Sequence, residues 1–208
     1  MIINAAPYLR ALCLGAASFA LISCGPQSEG GSIAKSGAVV STGTAAIGGP
    51  FSLTAHTGAP FTEKDLLGQP SLIYFGFSYC PDVCPTALQN MGTIQEMLGA
   101  DGKALNYVFI SVDAERDTPE SLAPYVGSRG FPNGLIGLAG SQEQIDTVVA
   151  AYRVYAQKIR DEESAAEFTF DHSDLIILMD KHGQFADIFS RNDTVPAIAA
   201  RIKIAMSK

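Results

Sequence analysis

The sequence predicts an α/β fold in which a central mixed sheet is flanked by helices and preceded by an N-terminal β-hairpin extension. Two continuous apolar runs, at 71–77 and 105–113, contain β-branched and aromatic residues, as buried central strands do. Each run is followed by a segment with helical periodicity or a helix-start signal. Strands that alternate with helices in this way favour a sheet covered by helices on both faces.

Residues 1–23 are predicted to be a lipoprotein signal peptide. Arg10 precedes an apolar run of about a dozen residues, which is too short to span a bilayer comfortably and is typical of a secretory signal. The run ends in LISCG at 21–25, which resembles the bacterial lipobox, where lipid is attached to the cysteine. We therefore expect Cys24 to carry lipid. The alternative is an ordinary signal peptide in which this cysteine is coincidental.

A flexible tether is predicted at 24–49, because Gly, Ser, Ala and Thr dominate there and large apolar side chains are few. The globular domain is expected to occupy residues 50–208. Signal and tether together predict a lipid-anchored protein of the bacterial cell envelope, on the extracytoplasmic (periplasmic) side of a membrane. The net charge of −7 and the lack of a basic stripe argue against nucleic acid as a partner.

The first elements of the domain are short. Residues 51–68 hold two apolar segments around a His-Thr-Gly turn signal and predict the hairpin. Thr62 is predicted to cap a helical turn that runs through Leu67. The strand at 71–77 leads through two cysteines into an amphipathic helix at 86–98.

The later elements alternate in the same way. In order, they are a strand at 105–113, a helix beginning at Pro119 with Thr118 as its cap, a short strand at 134–140, a helix at 141–155 with a capping box from Ser141 to Gln144, strands at 167–173, 174–180 and 184–190, and a helix at 194–206. A Lys-His-Gly turn joins the last two strands into a hairpin.

Cys80 and Cys84 lie at the junction between a predicted central strand and a helix, where a thioredoxin-like fold keeps its active site. The pair could be a structural staple, a redox switch or a metal clamp. A staple is the weakest reading, since a bridge across so short a loop restricts the unfolded chain little. A helix N-terminus favours thiolates, which are both redox nucleophiles and soft ligands for Cu(I). The residues alone leave redox and metal chemistry open.

Two sulfurs leave a metal site incomplete, so a third ligand is needed. His56 and His182 lie in predicted turns and are expected to be exposed, whereas His172 is placed at the start of a strand. Asp113 ends the strand next to the cysteine strand, so it either faces the site or caps backbone amides. Asp117 is a weaker candidate of the same kind.

Four segments resemble the Sco/SenC family of copper-binding proteins that assist cytochrome oxidase assembly. They are PFSLTAHTG, SLIYFGFSYCPDVCPTAL, FISVDAERDTPESLAPYV and FDHSDLIILMD, and the resemblance extends over nearly all of residues 50–208. Ala114 stands where the family often has proline. The resemblance implies a thioredoxin-like fold and a copper site formed by Cys80, Cys84 and His172. It also implies that Asp113 lies near the copper as an outer-shell partner that orients ligands.

The resemblance further implies a metallochaperone rather than an enzyme. Such a protein would take Cu(I) or Cu(II) from a periplasmic copper donor chaperone and deliver it to the binuclear copper centre of cytochrome c oxidase subunit II. The alternative is a membrane-tethered thiol-disulfide oxidoreductase that keeps the oxidase copper-site cysteines reduced. In that reading Cys80 and Cys84 form a redox-active disulfide, which a thioredoxin-like reductant recharges. Zinc suits the ligand types, but three ligands argue against a closed structural zinc site.

Overall fold

The structure is a computed structural model that describes residues 46–160 and 167–207. The predicted signal peptide, Cys24 and most of the predicted tether lie outside the described residues. The strands are β1 (Ser52–Ala55), β2 (Pro60–Thr62), β3 (Ser71–Gly76), β4 (Asn106–Ser111), β5 (Ile136–Ala139), β6 (Ala156–Arg160), β7 (Phe168–His172), β8 (Leu175–Met179) and β9 (Phe185–Ser190). The helices are α1 (Val83–Leu98), α2 (Ala100–Lys103), α3 (Pro119–Val126), α4 (Gln142–Ala151) and α5 (Val195–Met206).

One mixed sheet of seven strands has the order β2-β1-β5-β4-β3-β8-β9. β3, β4 and β5 are parallel, while β8 pairs antiparallel with β3, and β9 with β8. At the opposite edge β1 pairs antiparallel with both β2 and β5. The two apolar runs form β3 and β4, and every residue of β3 is buried. This mixed sheet with its flanking helices confirms the predicted fold class.

A second sheet consists of β6 and β7 alone, paired antiparallel from Ala156–His172 to Arg160–Phe168. We call these two strands the ribbon. In the described part of the chain, neither strand of the ribbon pairs with the seven-stranded sheet. An isolated two-stranded ribbon is only marginally stable. Its position relative to the seven-stranded sheet therefore depends on side-chain contacts.

The predicted caps begin two of the helices. Thr118 Oγ1 accepts a hydrogen bond of 3.2 Å from the backbone N–H of Ser121, and α3 begins at Pro119. Ser141 and Gln144 exchange the two bonds of a capping box, at 3.3 and 2.9 Å, and α4 follows. These bonds satisfy amides that have no partner inside the helix.

Two helix boundaries differ from the prediction. α1 begins at Val83 instead of 86, which brings Cys84 into its first turn. Pro85 is tolerated there because amides of the first turn lack acceptors inside the helix. α4 ends at Ala151 instead of 155, because Arg153 has a φ of 54°, which is left-handed and incompatible with a continuing helix.

Two elements were not predicted, α2 and β6. α2 follows Gly99, whose φ of 61° ends α1 and starts a new short turn. β6 has the sequence AQKIR, in which four of the five residues are exposed, so no alternation of apolar side chains marks it as a strand. Its pairing with β7 supplies the strand geometry instead.

Candidate metal centre

The two cysteines meet where β3 leads into α1. Cys80 lies in the connecting loop and Cys84 is the second residue of the helix. The backbone N–H of Cys84 donates to Cys80 Sγ at 3.5 Å. Both side chains are buried, Cys84 completely, and both are free thiols. The helix start thus directs amide hydrogens at the Cys80 sulfur, which favours a thiolate there.

Gly76, the last residue of β3, makes room for the Cys84 sulfur. A Cβ at this position would lie 2.8 Å from Cys84 Sγ and 3.1 Å from ring carbons of Phe109 and Tyr74. A carbon and a sulfur cannot approach so closely without moving one another. Any larger residue at Gly76 would therefore displace the Cys84 sulfur or one of these two rings.

His172 reaches the cysteines from the ribbon, 88 positions beyond Cys84. Its Nε2 lies 3.5 Å from Cys84 Sγ, and Nε2 and the two sulfurs all lie within 4.8 Å of one another. The prediction that His172 starts a strand is wrong, since it is the last residue of β7. The chain turns immediately afterwards, and the N–H of Ser173 donates to the carbonyl of Tyr155 at 2.9 Å.

The surroundings of the imidazole fix its orientation. Nδ1 lies 3.2 Å from the carbonyl oxygen of Ser173. Because a carbonyl only accepts, Nδ1 directs a proton toward it, so a metal would bind the ring at Nε2. Tyr74 and Phe77 meet the ring edge-on, with centroids 6.1 and 5.9 Å away. The nitrogen that faces the sulfurs is thus the one that can bind a metal.

The two thiols differ in acidity. The hydrogen bond from the Cys84 thiol is the largest influence on Cys80 and lowers its pKa to about 4; burial opposes this shift, while His172 and the amides of Cys84 and Asp82 add to it. The pKa of Cys84 is raised, chiefly by the same hydrogen bond and by burial. The pair therefore carries one negative charge at neutral pH, on Cys80.

Iodoacetamide should modify Cys80 of the reduced, metal-free chain at a nearly constant rate from neutral pH down to about pH 5, one unit above its pKa of about 4. An ordinary thiol, with a pKa of about 8.5, would lose reactivity about tenfold per unit over this range. Mass spectrometry of the peptide containing Cys80 measures the rate. Cys84→Ala is the control, because losing the thiol donor should raise the pKa of Cys80. A wild-type rate that falls like that of an ordinary thiol would contradict the assignment.

Asp113 is completely buried just after β4. Within the part of the chain that the structure describes, it contacts none of the three candidate ligands. Its carboxylate accepts hydrogen bonds from the backbone N–H groups of Glu115 and Arg116, at 3.2 and 3.1 Å, and pairs with the Arg116 side chain. These are the backbone-capping contacts that the sequence offered as the alternative. An outer-shell role for Asp113 stays a prediction.

Asp117 is the acidic residue that holds the cysteine loop, although the sequence ranked it below Asp113. It is 2% exposed. Its Oδ2 accepts from the Ser78 amide at 2.9 Å and from Ser111 Oγ at 2.5 Å, while Oδ1 accepts from Ser78 Oγ. Because Ser78 precedes Cys80 by two residues, Asp117 connects the start of the cysteine loop to the end of β4.

Tyr74 has a role in the site as well as in the core. Its ring is fully buried in β3, as predicted, and its hydroxyl donates to Asp174 Oδ1 at 2.9 Å. Asp174 also pairs with Arg191 at 3.1 Å. Burial raises the pKa of Tyr74, so the hydroxyl stays a donor. Since Asp174 follows His172 by two residues, this bond fixes the segment that leaves β7. The sequence predicted only that the run at 71–77 is buried, which gives no sign of this role.

The other two histidines lie outside the group of three. His182 is exposed in the turn between β8 and β9, as predicted. His56 is half-buried, so the prediction that it is exposed is wrong. Its Nδ1 accepts from the Gly137 amide at 3.1 Å, and its own amide donates to the Gly137 carbonyl at 2.7 Å. His56 therefore extends the pairing of β1 with β5.

Two sulfurs and one imidazole nitrogen are the donor set of a soft metal site. Thiolates select Cu(I) and zinc, and imidazole also accommodates Cu(II). Three ligands leave a coordination position open, unlike a closed structural zinc site. The donor set fits copper without excluding zinc on ligand type alone.

A family model described as SCO1/SenC matches residues 39–207. The chain belongs to the SCO1/SenC family. Among curated proteins it is 44% identical over 163 residues to the human mitochondrial SCO1 homolog, covering 77% of this chain and 53% of that one. It is 43% identical over 156 residues to protein SenC of Rhodobacter capsulatus, covering 75% and 69%.

The solved Sco structures have the same fold. The copper-bound structure of ScoI from Bradyrhizobium japonicum has a TM-score of 0.69 at 42% identity and covers 77% of this chain and 99% of that one. This similarity confirms the thioredoxin-like fold expected from the cysteine junction. The chain spans about half the length of the human relative.

Proposed function

We propose that this protein binds one copper ion through Cys80, Cys84 and His172 and delivers it to the binuclear copper centre of cytochrome c oxidase subunit II. The observation that carries the proposal is the convergence of His172 Nε2 and the two sulfurs within 4.8 Å. The copper bound in a relative of 42% identity supports the choice of metal.

Burial suits a site that gives up its metal. Cys84 is 0% exposed, Cys80 is 8% exposed and His172 is only half-buried. A thiolate of a partner can therefore approach the copper from the side of Cys80 and His172. Cys84 would bind the copper from the interior of the domain. Stepwise replacement of ligands would transfer the ion without releasing it to water. We expect a periplasmic copper donor chaperone to load the site by the reverse exchange.

His172→Ala should weaken copper binding by about tenfold or more and alter the thiolate-to-copper absorption, because the site loses its only nitrogen ligand. Titration of the reduced full-length chain with Cu(I) and Cu(II) measures both effects. His182→Ala is the matched control, since His182 is exposed in a turn. Equal affinity and equal absorption in the wild type and His172→Ala would remove His172 from the ligand set.

A second function is favoured by the unequal acidity of the two thiols. The Cys80 thiolate can attack a disulfide of the oxidase subunit and form a mixed disulfide. Cys84 gives its proton to the partner thiolate released in that step. The Cys84 sulfur then attacks Cys80 Sγ in the mixed disulfide and releases the partner's other sulfur as a thiolate, which takes a proton from water. The partner's disulfide is reduced to two thiols, and Cys80 and Cys84 become a disulfide. A thioredoxin-like reductant would return them to thiols.

The same variant separates the two functions, because thiol exchange does not need the imidazole as a metal ligand. If the protein acts as a reductase, His172→Ala keeps most of the disulfide-reducing activity while copper binding falls. Reduction of a peptide carrying the disulfide of the subunit II copper site is the assay. Copper titration that is unaffected by His172→Ala, with reduction intact, would favour the reductase over the chaperone.

We also propose that the domain at 50–208 is held at a membrane of the bacterial cell envelope by lipid on Cys24. The LISCG segment, the apolar run before it and the small polar residues of the tether support this arrangement. No helix within 46–160 or 167–207 is long and apolar enough to cross a membrane. Mass spectrometry of protein from bacterial membranes should find a lipid-modified N-terminal Cys24. An unmodified N-terminus at another residue would contradict the proposal.

A further inference from the structure

We infer that Arg116 is a positioning residue that fixes His172 relative to the two cysteines. The inference rests on the proposed copper site, since it concerns how the third ligand is held. Arg116 contacts none of the three ligand atoms. It instead joins the three segments that carry or support them: the end of β4, the first residue of β7 and the cysteine loop.

The first attachment is to the body of the domain. Arg116 Nε donates to Asp113 Oδ2, and Asp113 is completely buried after β4. The same carboxylate accepts from the Arg116 amide at 3.1 Å. The Arg116 side chain is 16% exposed, so water screens this ion pair little. The Arg116 guanidinium is therefore held in place by its contact with Asp113.

The second attachment is to the ribbon. Arg116 Nη1 donates to the carbonyl of Phe168 at 3.2 Å, and its guanidinium carbon lies 3.8 Å from the centre of the Phe168 ring. Phe168 is the first residue of β7 and His172 is the last. A strand is an extended and stiff segment, so holding its first residue limits where its last residue can lie.

The third attachment is to the cysteine loop. The Arg116 guanidinium lies 4.9 Å from the ring centre of Tyr79, which precedes Cys80, and 5.9 Å from that of Phe77. Phe77 in turn meets the His172 ring. Stacking on aromatic rings is a property of the planar guanidinium that a lysine ammonium does not reproduce.

The ribbon needs such an attachment because backbone pairing does not hold it to the main sheet. The Lys158–Glu115 ion pair also joins the ribbon to the turn after β4, but both side chains are well exposed, at 42% and 60%, and such pairs hold little. Phe170 packs on Phe77 with centroids 5.5 Å apart, a contact that resists separation more than sliding. Arg116 supplies a directional hydrogen bond between β7 and the turn after β4.

The test uses Arg116→Lys and Phe168→Leu in the full-length chain. Arg116→Lys keeps a positive charge opposite Asp113, so the domain is expected to fold. The variant lacks the second guanidinium nitrogen that donates to the Phe168 carbonyl. Phe168→Leu leaves the Arg116–Asp113 pair intact and removes the stacked ring. Arg201→Lys is the matched control, because Arg201 binds Asp187, the Ile188 carbonyl at 3.1 Å and the Phe189 ring at 4.7 Å on another part of the domain.

Two readouts are compared among these variants. In the metal-free, reduced protein, ¹⁵N NMR of the His172 ring should give one sharp set of ring signals for the wild type and Arg201→Lys. Broadened or averaged signals are expected for Arg116→Lys and Phe168→Leu. With Cu(II), the nitrogen splitting in the electron paramagnetic resonance spectrum should weaken in both site variants. Their Cu(II) affinity should fall by about tenfold to a hundredfold, as for other residues that orient ligands.

Sharp, wild-type His172 signals in both Arg116→Lys and Phe168→Leu would overturn the inference, as would equal losses in Arg201→Lys. The failure of the proposed function looks different. In that case His172→Ala would bind copper as tightly as the wild type does. The NMR comparison in the metal-free protein would still decide whether Arg116 holds the imidazole.

Discussion

Replacing Cys84 with serine is expected to weaken Cu(I) binding by at least about a hundredfold, more than the loss typical of residues that only orient ligands. A hydroxyl is a hard donor that stays protonated at neutral pH, so it cannot take the place of a soft thiolate. Cys84 is 0% exposed and its sulfur lies 3.5 Å from His172 Nε2, so water has little room to act as a substitute ligand. Competition with a chromophoric Cu(I) chelator measures the affinity.

His182→Ala is the control for this substitution, because His182 is exposed in a turn outside the proposed site. Serine is nearly the same size as cysteine, and circular dichroism should show that both variants fold. Retention of wild-type Cu(I) affinity by Cys84→Ser would show that Cys84 is not a ligand. Equal weakening in His182→Ala would place the copper elsewhere on the chain.

Asp117→Ala is expected to lower the free energy of unfolding by about 3 kcal/mol, since it leaves the buried hydroxyl of Ser111 and two half-buried donors of Ser78 without their acceptor. It should also weaken copper binding, because the loop that carries Cys80 loses its attachment to the end of β4. Urea unfolding measures the first effect, and the Cu(I) competition measures the second.

Asp193→Ala provides the comparison for Asp117→Ala. Asp193 accepts the same pair of bonds from one serine, Ser190, at 2.8 Å from the amide and 3.1 Å from the hydroxyl. Its side chain is 29% exposed, so water can replace the lost acceptor and the expected change is below about 1 kcal/mol. Similar losses of stability in the two variants would mean that burial of Asp117 is not what makes it important.

The parts of the site that are close in sequence could be predicted from the residues alone. Cys80 and Cys84 are separated by one helical turn at the end of an apolar strand, and local geometry brings such residues together. His172 could not be found in this way, because the contact that brings it to Cys84 spans 88 positions. Only the resemblance to a known family selected it among three histidines.

The roles of the residues that support the three ligands could not be predicted for a different reason. The direction in which Asp113 or Asp117 points depends on where β4 ends, and the predicted strand ran two residues beyond the observed end at Ser111. Because β4 ends at Ser111, both carboxylates lie in the turn that follows, where the alternation of a strand does not set the direction of a side chain. The role of Tyr74 could not be predicted, because an aromatic residue in a buried strand indicates only packing, whereas the Tyr74 hydroxyl also binds Asp174.

The ribbon was missed in part because β6 is too polar to resemble a strand. Its residues are selected for lying on the surface rather than for filling the core, and only pairing with β7 makes them extended. Elements of this kind depend on contacts between distant parts of the chain, so local sequence patterns do not reveal them.

The wide separation of Cys84 and His172 has a consequence for chain entropy. A metal ion bound to both residues would close a loop of 88 residues, as a disulfide between them would. By the usual polymer estimate, a link of that span removes about 4 to 5 kcal/mol of conformational freedom from the unfolded chain. Copper would then serve as a removable cross-link between the first and last thirds of the domain, and handing it to a partner would return the domain to the stability of its own packing.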